Sequence, residues 1–136
     1  MAKHPITQLD SYGCGIACVA YLSDVSYGAA KSRYFDRHKA ATFGYRYRDM
    51  VKALSLAKRD YSYKYIKKRM RFKEGCIVFI RRSKRYPSGH YLTSTKRGWM
   101  DPWINFSSRM PDLTRAKSGF RKRLPGEAIY VIYPKI

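Results

Sequence analysis

The chain has 136 residues, 45% of them hydrophobic, and reads as a single domain over 1–136 with enough apolar material for one core. Lys and Arg number 29 against nine carboxylates, a formal net charge of +20, which a fold does not require and which points to an anionic partner: nucleic acid or another polyanion, an anionic membrane surface, or acidic protein. No apolar run approaches the roughly 20 residues of a transmembrane segment, no secretory signal opens the chain, and three cysteines leave one unpaired in any disulfide scheme, which suits a reducing, cytoplasmic setting.

In chain order, a polar, Gly-punctuated approach from Gln8 runs into an apolar helix ending near Leu22. Ile16, Ala17, Val19, Ala20 and Leu22 are apolar on nearly every side, the mark of a buried helix. Ser26 is placed to cap a second helix through Ala29, Ala30 and Phe35. Tyr47, Met50, Val51 and Leu54 fall at helical spacing and predict a third.

The period changes after Asp60. Tyr61 to Ile66 alternates like a half-buried strand. Glu74-Gly75 reads as a turn into Cys76–Ile80, an apolar run typical of a central strand. Gly89–Thr95 and Trp99–Asp101 predict a hairpin closed by Lys96-Arg97-Gly98, and Ala128–Tyr133 a last strand. Between Pro102 and Gly126 the sequence is basic, weakly patterned and predicted as a long loop. Helices first and antiparallel strands after give an α+β architecture.

A thiol nucleophile needs exposure, a base close by and an environment that favours its anion. Cys14 stands where a loop becomes a helix, so N-terminal amides and the helix dipole favour negative charge there. Its flanking glycines, Gly13 and Gly15, are expected to keep the approach open to substrate. Cys18, one turn deeper in the apolar run, and Cys76, opening a buried strand, read as packing residues. His90 follows Gly89 at a strand mouth, where an imidazole can face a cleft. Asp101 closes the paired strand eleven residues on. If the hairpin turns around Arg97-Gly98, the two come out at the same end, and the carboxylate can fix the imidazole tautomer. Asp101-Pro102 is also an ordinary turn opener. Gln8 carries a side-chain amide that could meet a developing oxyanion.

Gln8, the Cys14-Gly15-x-Ala17-Cys18-x-Ala20 helix, Gly89-His90-Tyr91 and Asp101-Pro102, in that order, resemble the bacteriocin-processing (double-glycine leader) peptidases and their stand-alone relatives, compact members of the papain-like cysteine peptidases. The resemblance spans about Gln8 to Pro102. It implies a papain-like fold with the nucleophile at the start of a buried helix, and thiol hydrolysis of a protein or peptide substrate. It further implies Cys14 as nucleophile, His90 as general base and acid, Asp101 as the residue orienting His90, and Gln8 as oxyanion donor with the Cys14 backbone N–H. A deamidase, an acyltransferase or a toxin-like effector would use the same residues, and a non-enzymatic nucleic-acid-binding protein is the alternative class. No cofactor or metal is expected: Cys14-x-x-x-Cys18 lacks the paired spacing of a zinc site, and no phosphate-cradling glycine loop is present.

The charge is clustered. From Lys64 to Arg85, ten of 22 residues are Lys or Arg, opposed only by Glu74, with Tyr61, Tyr63, Tyr65 and Tyr86 within or beside the run. Arg115, Lys117, Arg121, Lys122 and Arg123 form a second group. Basic side chains separated by aromatic rings suit phosphate backbones and stacked bases, and equally a solvated face. A basic rim around a cleft would gather acidic or nucleic-acid-bound substrates.

Overall fold

The computed structural model describes residues 3–135. Helix α1 (Cys14–Ser23) is buried from Gly15 through Tyr21, as its all-round apolar sequence predicts. It ends where Asp24 turns into the left-handed region at φ 58° and its N–H returns to the Ala20 carbonyl. Helix α2 (Tyr27–Tyr34) starts at Ser26, whose Oγ accepts from the Ala29 N–H at 3.1 Å; this hydroxyl satisfies a donor that the first turn leaves without a carbonyl. Helix α3 (Tyr47–Leu56) follows a 3-10 turn (Arg37–Ala41) and buries Met50, Ala53 and Leu54 on one stripe.

The glycines around Cys14 serve packing and not substrate access. A Cβ on Gly13 would lie 2.0 Å from the Tyr27 hydroxyl oxygen, and one on Gly15 would lie 2.7 Å from Met50 Sδ. Their small size lets α1 approach α2 and α3 closely, which corrects the expectation of an opened approach.

Six strands form one antiparallel sheet in the order β1 (Tyr61–Tyr65), β6 (Ala128–Pro134), β2 (Ile77–Ile80), β3 (His90–Thr95), β4 (Gly98–Asp101), β5 (Gly119–Arg121). Strand β2 is central, and its continuous apolar run is explained by burial on both faces. Ile77 and Phe79 join the core under the helices, while Val78 and Ile80 join a second cluster with Leu92 and Val131. That second face is covered by Ile66, Met70, Phe72 and Leu124, so part of the basic Lys64–Lys73 stretch lies across the side of the sheet away from the helices.

Two elements differ from expectation. Strand β1 is an edge strand whose burial fades along its length: Tyr61 is buried, but Tyr63 and Tyr65 are exposed and pack around the Tyr47 ring. The 102–126 segment is not structureless. It holds a 3-10 turn (Leu113–Arg115) and β5, which pairs Trp99 with Arg121 and Asp101 with Gly119. Three residues are too short for hydrophobic alternation to announce a strand. No described helix is long and apolar enough to cross a membrane.

Gly15→Ala tests the close helix approach. It should cost about 1–3 kcal/mol by overpacking against Met50, and less in a Met50→Ala background, where the added methyl occupies vacated space. Urea unfolding of the four proteins in this cycle measures the coupling.

Candidate active site

The β3–β4 hairpin sets the geometry. Thr95 pairs with Gly98 and Thr93 with Met100 around the Lys96-Arg97 turn. His90, three residues before Thr93, and Asp101, one after Met100, therefore emerge at the same end. The loop into β3 is tight at Gly89, where φ is +74° and a Cβ would lie 2.2 Å from the Phe79 ring. Only glycine meets both conditions without strain.

Asp101 has no exposed surface. Its Oδ1 is 2.6 Å from His90 Nε2 and accepts from the Trp103 backbone N–H at 2.9 Å. Its Oδ2 accepts from Arg121 Nε at 2.7 Å. Arg121 is held in turn by the Ile104 carbonyl at 3.0 Å. His90 is 5% exposed and lies beneath the Tyr86 ring at 5.0 Å and 6° between planes. Phe106 continues that stack at 5.7 Å.

Cys14 is the first residue of α1 and half-buried, whereas Cys18 and Cys76 are buried. The Tyr91 N–H donates to Cys14 Sγ at 3.5 Å. With Nε2 given to Asp101, the other imidazole nitrogen is the one left for Cys14. Burial alone would lower the His90 pKa. The hydrogen bond to Asp101 and the neighbouring Cys14 thiol, with the negative charge of each, outweigh burial and raise it to about 10. Burial pushes the Asp101 carboxyl up, but His90, Arg121 and the Trp103 N–H outweigh it and hold the pKa down at about 2. Cys18 goes the other way: burial, and then the nearby Cys14 and Asp101 charges, push its thiol well up.

Gln8 is buried and lines the same cleft as Cys14 and His90. Its backbone N–H donates to the Pro102 carbonyl at 3.2 Å, tying it to the residue after Asp101. Its Nε2 donates to the carbonyls of Asp10 at 2.9 Å and Ser11 at 3.2 Å. Among the described residues its Oε1 has no partner. In this state Gln8 braces the turn that delivers Cys14. Helix geometry leaves the Cys14 N–H without a carbonyl one turn back.

The cleft has a volume of about 1390 Å³ and runs from Gln8, Cys14 and His90 along Tyr47, Phe79 and Tyr130. All four residues singled out in the sequence thus gather at one place, with Asp101 behind His90 and closed to solvent. Sequence reasoning misses the roles of Arg121 and Tyr86. Arg121 lies 20 residues from Asp101 inside a basic run, and only the β4–β5 pairing, itself illegible, distinguishes it from its neighbours.

No protein-family model matches the chain, and no curated protein matches it. The fold is similar to that in the crystal structure of the peptidase domain of Streptococcus ComA, a bi-functional ABC transporter involved in a quorum sensing pathway, at a TM-score of 0.54. The likeness covers 96% of each chain at 16% sequence identity. An α+β chain with helices packed on a six-stranded antiparallel sheet therefore matches a peptidase-domain fold.

The ion pair carries a pH signature. His90 has a folded pKa raised above its ordinary 6.5, so its contribution to stability is full below 6.5 and is lost as pH rises through about 10. Asp101 has a folded pKa depressed below its ordinary 3.8, so its contribution is full above 3.8 and is lost as pH falls through about 2. Both are fully present between 3.8 and 6.5. Denaturant unfolding across pH should show stability declining on either side of that window. Asp101→Asn should lower the whole curve and flatten both declines.

Proposed function

We propose that the chain is a papain-like cysteine peptidase with Cys14 as nucleophile, His90 as general acid and base, and Asp101 as the residue that orients His90. The observation that carries this reading is that His90, bonded through one nitrogen to a buried carboxylate, lines the same cleft of about 1390 Å³ as the one half-buried thiol, Cys14. The likeness to a peptidase domain supports it at the level of the fold.

In this mechanism His90 holds the thiol proton as Cys14 attacks. Cys14 Sγ attacks the substrate carbonyl carbon, forming a C–S bond while the carbonyl electrons move to oxygen. The oxyanion collapses, the C–N bond breaks, and His90 gives its proton to the leaving amine. Water then adds to the thioester, its proton passing to His90, and the C–S bond breaks to release the carboxylate product. The oxyanion takes the Cys14 N–H and an amide proton of Gln8, which Gln8 frees by giving up its longer bond, to the Ser11 carbonyl. Arg121 keeps Asp101 ionised and fixed. Deamidation or acyl transfer would run through the same thioester; the likeness to a peptidase domain favours peptide-bond hydrolysis.

Iodoacetamide at near-neutral pH, with labelled residues located by peptide mass mapping, tests the reading. Cys14 should react in the native protein while Cys18 and Cys76 stay protected. His90→Ala should slow Cys14 alkylation about a hundredfold, the lower end of what a positioned base contributes. Reaction of all three thiols only after unfolding would sink the nucleophile assignment.

A further inference from the structure

The cleft is built asymmetrically in charge. Arg46, Arg48 and Arg82 line it and are exposed, and among the described residues none of their guanidiniums lies within 4.0 Å of a carboxylate oxygen. The one carboxylate lining the cleft, Asp49, is already engaged: it pairs with Lys39 at 3.3 Å and accepts from the Arg46 backbone N–H at 2.9 Å. Aromatic rings line the same cleft. The Phe79 and Tyr130 rings stack at 5.1 Å, and Tyr47 and Tyr65 meet Tyr130 edge-on. Cys14 and His90 line the same cleft as these rings.

We infer that the cleft binds an acidic peptide, one in which Asp or Glu side chains alternate with apolar ones; this deepens the peptidase reading and rests on it. An extended chain turns successive side chains to opposite sides, so such a peptide sets carboxylates against the arginine rim and apolar groups against the aromatic wall. Guanidinium suits carboxylate through paired donors of matching geometry, and an unpaired exposed arginine gives up no existing ion pair to make the contact. Part of the remaining charge lies away from this site. Lys67, Lys68 and Arg69 are exposed on the segment that covers the far face of the sheet and do not line the cleft.

The test uses Cys14→Ala protein, which holds substrate without forming a thioester, and a fluorescent, end-blocked Glu/Leu alternating peptide read by anisotropy. It should bind more tightly than its Gln/Leu isostere. Replacing Arg46, Arg48 and Arg82 together with Gln should weaken it roughly tenfold, each exposed pair contributing a few-fold, and added salt should shrink the difference. Replacing Lys67, Lys68 and Arg69 with Gln removes the same charge and should leave binding nearly unchanged. Equal binding of the two peptides, or equal losses in the two triple variants, would overturn the inference. So would a single-stranded oligonucleotide that binds more tightly than the peptide and loses affinity only in the cleft variant, since nucleic acid would then be the occupant. The outcome is separable from the alkylation experiment. Protected Cys14 with selective peptide binding removes only the hydrolase reading, and reactive Cys14 without selectivity removes only the substrate class.

Discussion

The buried carboxylate of Asp101 is the constraint around which the site is arranged. A carboxylate with no exposed surface is costly to desolvate unless charge and hydrogen bonds replace the lost water. Here the replacement comes from three directions: His90 on β3, Arg121 on β5 and the backbone of Trp103 just beyond β4. Removing either charged partner, His90 or Arg121, leaves charge behind in a closed space, a loss of about 3–5 kcal/mol when a buried pair is broken. The carboxylate thus welds strands β3 and β5 and a loop into one unit, and the imidazole is fixed as a consequence.

The two layers of the fold divide the labour around that carboxylate. The helices under the sheet are packed by small residues, Gly13 and Gly15, so that the start of α1 is held against Met50 and Tyr27. The sheet supplies the charges, and Tyr86 with Phe106 covers the outer face of His90. Cys14 sits where the two layers meet, with Tyr91 N–H on its sulfur. The charge excess has its own geography: arginines along the cleft, lysines and arginines over the far side of the sheet.

Much of this is legible in the sequence because it rests on local rules. The all-round apolar helix after Cys14, the Ser26 cap, the central β2 run and the tight β3–β4 hairpin each derive from spacing or turn chemistry, and the hairpin alone brings His90 to Asp101. Illegible parts depend on long-range pairing. Strand β5 is too short to carry a period, and Arg121 is one cation in a run of three until β5 is laid against β4. The exposure of Tyr63 and Tyr65 reflects the edge position of β1, which a strand's own alternation does not encode. Gly13 and Gly15 read as substrate access in the sequence because it shows an absent side chain without showing what fills the space.

The protonation state of His90 is the most direct test of this arrangement, and nitrogen NMR of the labelled imidazole reads it across pH. His90 should stay protonated far beyond the ordinary 6.5, towards about 10, and should lose its proton at lower pH in Cys14→Ala, where the neighbouring thiol and its negative charge are gone. An imidazole that titrates near 6.5 in the native protein, unmoved by loss of Cys14, would contradict the coupling of His90 to Asp101 and Cys14.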